Sequence, residues 1–358
     1  LRIIYDNIIF SLQNAGGISI YWTELIKRLK DKKNIVFYEL KNENIFKKEL
    51  EIKIQKESSL NLKLLRYLPF MKKLPIKSIF HSSYYRISLQ KDISNITTVH
   101  DFTYEYFRNG LAKYIHIWQK GLAIKRSDGI ICVSENTKKD LMKFYPMIDK
   151  SKIKVIYNGV GEEFIKLKNS KEYLTGNFEV LKNKKYILFI GDRSSYKNFD
   201  VAIEVIKELK DFSLVIVGGQ EFCDSEKENI KNIKNRILHF RGITGDNLNI
   251  IYNNAFCLLY PSSYEGFGIP ISEAMKAGCP VVSTNTSSIP EVAGEAGLLV
   301  GKIKAENFIN EIRKLENTEF RNELIKKGLK QAKKFSWDKC FVETYSFYQE
   351  VWDRKFGE

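Results

Sequence analysis

The chain has 358 residues, 44% of them hydrophobic and 28% charged, with a formal net charge of +15. At roughly 100–200 residues per domain this is soluble globular composition for two domains, and it excludes wholesale disorder and collagen-like fibres. No run approaches the ~18 consecutive apolar residues of a membrane span, and five scattered cysteines without a C-x-x-C pair argue against a disulfide framework or a zinc site.

Strand-like and helix-like stretches alternate along the chain. Arg2–Asn7 reads as a strand, followed by a turn at Gly16-Gly17 and a helix over Ile18–Lys30, where Ile18, Tyr21, Trp22, Leu25, Ile26 and Leu29 share one face. Short β-branched runs follow at Ile35–Tyr38, Ser78–His81, Ile96–His100, Gly129–Val133 and Lys152–Ile156. Helical stretches Leu111–Arg126 and Glu135–Phe144 lie among them. The polar, lysine-rich segment 165–184 predicts a linker. The rhythm then restarts with strands at Tyr186–Ile190, Ser213–Val217, Arg236–Phe240, Ala255–Tyr260, Pro280–Ser283 and Gly297–Val300, and with helices beginning near Asn198, Ser225, Asp246 and Ile269. The chain ends in helices, the last carrying Phe341, Tyr345, Tyr348 and Trp352 at helical spacing.

Repeated βα units mean parallel sheets covered by helices. Roughly eleven strands in two series fit two doubly wound domains better than a barrel of eight units. The expected division is residues 1–164, a linker at 165–184, a second domain over 185–337, and a terminal helix, 338–358. Ligands of such sheets bind beyond the carboxyl ends of the strands, so the loops after strands carry the interest.

Four of those loops stand out. In Ser262-Ser-Tyr-Glu-Gly-Phe-Gly-Ile-Pro-Ile-Ser-Glu273, a strand ends in a glycine-bearing loop and a helix begins near Ile269. A helix start offers N–H groups to an anion. Glu265 and Glu273 can each accept two hydroxyl hydrogen bonds, which suits the vicinal diols of a ribose or a sugar. The same residues also read as a capped helix with Glu273 in solvent. In Gly191-Asp-Arg193-Ser-Ser-Tyr-Lys197-Asn198, two cations bracket a loop and Asn198 suits the N-cap of the next helix. That places positive charge where a diphosphate fits, and it also reads as a solvated turn. Gly16-Gly17 permits close backbone approach and positive φ, or is a plain turn. His100, ending Thr97-Thr-Val-His100-Asp101, either faces a cleft or is structural.

Taken together the four resemble retaining glycosyltransferases of family 4, over nearly the whole chain. The most specific part is Glu265-Gly-Phe-Gly-Ile-Pro-Ile-Ser-Glu273, matching the family's E-x₇-E motif. Gly191-x-Arg193-x₃-Lys197-Asn198, the Gly16-Gly17 loop, Thr98-Val-His100-Asp101, Gly278-Cys-Pro-Val-Val282 and Ser288-Ile-Pro-Glu291 also match. The aromatic stretch Phe102–Phe107 departs from the pattern. The resemblance implies two Rossmann-like doubly wound α/β domains facing a cleft, the GT-B fold, with the last helix crossing back to the N-terminal domain. It implies a nucleotide-sugar donor, GDP-mannose or a UDP-sugar. Arg193 and Lys197 would hold its diphosphate and Glu273 its ribose. Glu265 would take the transferred sugar's hydroxyls, and the backbone of Gly266, Phe267, Gly268 and Ile269 would position sugar and phosphate. Gly16 and Gly17 would close on the phosphate, and His100 would sit near the anomeric carbon. No metal or other cofactor is expected, and there is no D-x-D-type loop. The implied reaction retains configuration by front-face displacement.

The charge is uneven. Residues 1–164 hold 29 basic and 17 acidic side chains, residues 165–358 hold 29 and 26, and Ser58–Lys91 contains seven cations and no acid. A basic acceptor domain suits a glycan or lipid-diphosphate acceptor and an anionic membrane surface, with Leu60–Lys77 as the docking stretch. A buried helix with a solvated basic face explains it equally. The expected location is cytoplasmic, with peripheral attachment to the inner face of the membrane, since Asp6, Asn7 and Gln13 interrupt the first apolar run. The rival readings are an epimerase or a phosphorylase on the same fold, and, less well supported, a nucleic-acid-binding protein.

Overall fold

The computed structural model describes residues 1–30, 32–57 and 62–357. The chain divides into two compact units: unit 1, Leu1–Gly159 with Trp337–Glu358, and unit 2, Val160–Ser336.

Unit 1 is built on a seven-stranded sheet of β1 (Arg2–Asp6), β2 (Ile35–Tyr38), β3 (Ile54–Gln55), β4 (Ser78–Ser82), β5 (Ile93–Val99), β6 (Gly129–Cys132) and β7 (Ile153–Val155). The order is β3-β2-β1-β4-β5-β6-β7, and every pairing is parallel. Unit 2 holds β8 (Tyr186–Ile190), β9 (Ser213–Val217), β10 (Ile237–Phe240), β11 (Cys257–Tyr260), β12 (Val281–Thr284) and β13 (Gly297–Val300). Their order is β10-β9-β8-β11-β12-β13, again all parallel. The first strand of each unit therefore lies mid-sheet, and the winding reverses beside it, between β1 and β4 and between β8 and β11. Such a switch point leaves an open crevice at the strands' carboxyl ends.

β-branched and aromatic runs make these strands because both faces are covered. β4, β5, β8 and β9 are buried along their whole length, as strands under helices on two sides must be. The core of unit 1 joins Ile3, Tyr5, Trp22, Leu25 and Ile79 with Trp337, Phe347, Tyr348 and Val351 of the terminal helix Trp337–Phe356. Each such side chain contributes about 1.5–3 kcal/mol by leaving water. Gly129 shows how closely that helix packs: a Cβ there would stand 2.7 Å from Val351 and 2.8 Å from Ile96. Unit 2 has its own core of Ile187, Phe189, Ile203, Leu214, Leu259 and Val282 with Phe308 and Ile312.

The stretch expected as a linker is part of unit 2. The N–H groups of Ile165 and Leu167 donate to Asn249 and Asn253 Oδ1 at 3.1 and 2.8 Å, and the Ser170 hydroxyl lies 3.0 Å from Asn254 Oδ1. Leu174, Phe178 and Leu181 are buried. Their spacing of four and three anchors two 3₁₀ turns, Ser170–Tyr173 and Gly176–Leu181, beneath a surface crowded with lysine. No helix among the described residues is long and apolar enough to cross a membrane.

Candidate active site

In unit 2 the two loops flanking the switch point are those after β8 and β11, and they are tied together. Asn198 sits in the left-handed region at φ +50° and precedes the helix Phe199–Glu208. Its side chain makes no N-cap bond to that helix, contrary to the sequence expectation. Instead Nδ2 donates to the Pro261 carbonyl at 2.7 Å and to Ser263 Oγ at 2.8 Å, and the Ser263 N–H donates to the Tyr196 carbonyl at 2.7 Å. The second loop is also held from the loop after β12. The Glu265 N–H donates to Ser287 Oγ at 2.8 Å, and the Ser288 hydroxyl lies 2.9 and 3.0 Å from the Glu265 and Phe267 carbonyl oxygens.

This clamping brings Lys197 and Glu265 together. Lys197 Nζ lies 2.5 Å from Glu265 Oε1 and 3.0 Å from the Tyr260 hydroxyl, and both charged side chains are almost enclosed. Burial alone lowers a lysine pKa, but the Glu265 carboxylate, with Tyr196 and Asp192 beside it, raises this one. The pair is a cation and a carboxylate offered side by side at the carboxyl edge of the sheet. A polyhydroxylated anion needs both.

Arg193 is engaged elsewhere. Its Nε donates to Glu226 Oε1 at 2.6 Å, and Nη2 donates to the carbonyls of Gln220 and Glu221 at 2.8 and 3.0 Å. The guanidinium lies over Phe222, 4.6 Å from the ring centre, and its buried Nη1 has no partner. That nitrogen abuts Gly219, where a Cβ would come within 2.6 Å of it. Gly218 and Gly219 have φ of +96° and +72°. Only glycine meets both demands. Glu226 also accepts the Cys223 N–H at 2.8 Å as part of a capping box. Burial opposes ionisation of Glu226, but Arg193 and the Cys223 amide outweigh it and hold its pKa down.

Gly268, at φ +96°, turns the loop into the helix Ile269–Lys276, with Pro270 in its first turn. Phe267 is core, its ring edge-on to Phe335 at 5.4 Å, so what it and Gly266 bring to the loop is backbone. Glu273 lies one turn into the helix and is only 7% exposed, which ends its reading as a solvent residue. Its Oε2 accepts the Tyr252 hydroxyl at 2.9 Å. Burial pushes its pKa up to about 7 against the pull of that bond.

The remaining expected residues belong to unit 1. Gly16 has an extended φ of 164° and Gly17 opens the helix Gly17–Leu29. The pair could have supplied a left-handed turn or a plain one; here the helix begins directly and no left-handed turn is needed. His100 follows β5 with its ring edge-on to Tyr21 at 5.1 Å. Burial, and after it Lys120, lower its pKa to about 4 against the pull of Asp101, so the imidazole is neutral at pH 7. The aromatic stretch after it contains a short helix, Thr103–Phe107. Lys120, fully buried, pins it by donating to the Asp101 carbonyl and Glu105 Oε2, each at 2.9 Å.

Sequence reasoning missed Glu226, Gly218-Gly219, Tyr252 and Tyr260. Of these only the glycine pair, directly after a predicted strand, carried a signal. Among the described residues no cluster of three His, Cys, Asp or Glu stands ready to hold a metal ion.

Two protein families match the chain: "Glycosyltransferase Family 4" over residues 15–164 and "Glycosyl transferases group 1" over residues 170–331. The uncharacterized glycosyltransferase MJ1178 of Methanocaldococcus jannaschii is 28% identical over 94% of this chain and 95% of its own length. The O-antigen chain mannosyltransferase B of Escherichia coli is 32% identical over 46% of this chain and 45% of its own length. The crystal structure of Anabaena Alr3699/HepE with UDP-glucose superposes with a TM-score of 0.78 at 16% identity, covering 98% of this chain and 99% of that one. At that identity the likeness is one of fold.

Proposed function

The chain belongs to the group 1 glycosyltransferases of GT-B fold, and from that premise we propose that it transfers a hexose-type sugar, with retention of configuration, from a nucleotide diphosphate donor to a glycan or lipid-linked acceptor of a surface polysaccharide. The observation that carries this reading is the Lys197–Glu265 pair at the switch point of unit 2. Breaking the anomeric C–O bond puts negative charge on the leaving diphosphate and leaves an oxocarbenium-like sugar. Lys197 would meet the phosphate, and Glu265, released from its lysine, would accept sugar hydroxyls. Arg193 would present its unpartnered Nη1 to the diphosphate while Glu226 keeps the guanidinium in place.

Glu273 would accept the ribose hydroxyls, and the amides of Gly266 to Ile269 would orient sugar and phosphate. In unit 1, Gly16 and Gly17 are proposed as backbone donors toward phosphate. The neutral His100 is proposed as a hydrogen-bonding partner of the transferred sugar. Fixed cations supply the charge a metal would otherwise bring, so the reaction is proposed to be metal-independent. The E. coli relative is named a mannosyltransferase and the Anabaena structure holds UDP-glucose, so GDP-mannose and UDP-hexoses are the donors to try first.

The experiment is transfer from a panel of UDP- and GDP-sugars to a lipid-diphosphate-linked glycan acceptor in excess chelator, with the product's anomeric configuration read by NMR. Transfer with the donor's configuration is expected. An inverted product, or turnover that returns only with a divalent cation, contradicts the mechanism. Epimerised donor or phosphorolysis without transfer selects the rival enzymes.

A further inference from the structure

The helix Leu111–Arg126 in unit 1 has an unusual outer face. His116, Gln119, Lys120, Ala123 and Ile124 turn inward, as an amphipathic helix requires. The outward positions 111, 114 and 118 follow the spacing of a single stripe, and they are Leu111, Tyr114 and Trp118, exposed by 74, 68 and 60%. Polar residues normally occupy such positions.

A second exposed apolar segment lies beside this helix. The Gln119 amide donates to the Arg66 carbonyl, and Arg66 Nη2 donates to the Tyr84 hydroxyl at 3.2 Å. These bonds set the helix beside the segment that runs on from Arg66, which itself exposes Tyr67, Leu68 and Met71. Phe70 pairs with Ser88, which brings the exposed Leu89 alongside. Here the surface sinks into an open hollow of about 700 Å³ whose lining includes Leu68, Met71 and Leu89, two cations, Lys72 and Lys73, and one acid, Asp92.

Charge tells which partner fits. Residues 1–164 carry twelve more cations than acids, Ser58–Lys91 has no acid at all, and Lys125 and Arg126 are exposed at the end of the helix itself. A second copy of the chain would bring the same positive surface against itself. A nucleic acid would match the charge but has no use for exposed leucine and methionine. Large apolar side chains with tryptophan and tyrosine among lysines are the composition that lies in the headgroup layer of an anionic bilayer.

We propose that this surface docks unit 1 on an anionic lipid bilayer, with Leu111, Tyr114 and Trp118 entering the boundary between headgroups and acyl chains and with Lys72 and Lys73, at the Leu68–Met71–Leu89 hollow, facing the anionic headgroups. The sequence alone placed docking on Leu60–Lys77. Ser58–Asn61 lie outside the described residues, and the helix 111–126 adds an exposed apolar stripe outside that stretch. The inference does not depend on the choice of donor.

The test uses the full chain with vesicles of phosphatidylcholine alone and of phosphatidylcholine with phosphatidylglycerol. Of the four tryptophans, Trp22 and Trp337 are buried and Trp352 half-buried, so a change at the surface reports Trp118. Sedimentation should show binding only to anionic vesicles, weakening as salt rises because exposed charges are screened beyond about 8–10 Å. Bound protein should show blue-shifted emission quenched by brominated lipid, and Trp118→Phe should bind yet lose that signal. The combined Leu111→Ser, Tyr114→Ser, Trp118→Ser variant should bind about tenfold or more weakly. Nucleotide-sugar binding by unit 2 in the same variant shows that it is folded and keeps this outcome separate from the donor reading. No binding to anionic vesicles at low salt, equal binding to neutral ones, or binding with Trp118 unquenched overturns the proposal. So does self-association of the wild-type chain that the triple variant abolishes.

Discussion

Glu273 and Glu265 share a motif, but their surroundings give them different chemistry. Glu265 faces an ammonium at 2.5 Å, whereas Glu273 is buried, accepts a tyrosine hydroxyl and feels the like charge of Glu163. The Glu273 pKa of about 7 makes a consequence measurable. A carboxyl that must accept two ribose hydroxyls has to be ionised, so donor affinity should rise as pH goes from 6 to 8. In Glu273→Gln the rise should vanish and affinity should be lower throughout. Donor KM measured across that range for both proteins decides it; a wild-type profile as flat as the variant's removes Glu273 from the donor site. The same shift has a cost in stability. Because the folded pKa lies above the unfolded value, this group's contribution is full below about pH 4.5 and is lost as pH rises through 7.

A buried hydrogen-bond chain couples the elements of unit 1. The Tyr5 hydroxyl of β1 lies 2.7 Å from the Tyr348 hydroxyl of the terminal helix. Tyr348 lies 2.5 Å from His81 Nδ1 in β4, and His81 Nε2 lies 2.9 Å from the Thr98 hydroxyl in β5. Burial drives His81 down to about 3, His100 to about 4 and His116 to about 3. All three are in unit 1 and are neutral when folded. Their contribution is therefore full above the unfolded value near 6.5 and is lost as pH falls from there toward the folded values. Each loses about 1.4 kcal/mol per pH unit over that window. All four tryptophans belong to unit 1, so urea unfolding followed by tryptophan emission reads this unit alone. Its midpoint should fall clearly between pH 7 and pH 5; an unchanged midpoint means that these histidines already carry protons in the folded chain.

Most of these elements are legible in the sequence. Runs such as Tyr186–Ile190 announce strands because a doubly covered sheet admits little else, and eleven further runs were found on that signal. β3 was missed because two residues, Ile54 and Gln55, carry no periodicity, and Thr103–Phe107 because its apolar residues pack as a single turn. Segment 165–184 looked like a linker because its few anchors are spaced among lysines. At the site, motif order found Lys197, Glu265 and Glu273. It could not show that Asn198 binds the neighbouring loop instead of its helix, or that Arg193 has a carboxylate partner in Glu226. Those facts depend on which loops the β8–β11 pairing brings together, and a one-dimensional pattern does not carry them.

In the whole molecule the two units differ in charge and surface. Unit 1 is strongly basic and exposes an apolar surface; unit 2 is nearly neutral and holds the paired charges of the donor loops. Binding of a nucleotide sugar by those loops of unit 2 is read by titration calorimetry. UDP- and GDP-sugars are titrated into the full chain and into its Lys197→Ala and Arg193→Ala variants. A charge-assisted contact to phosphate is worth roughly 1.5–3 kcal/mol, so each variant should bind about 10–100-fold more weakly, measured at a temperature and urea concentration where its own melting curve shows it folded. Wild-type protein that binds no nucleotide sugar, or variants that bind as tightly as wild type, would rule out these loops as the donor site.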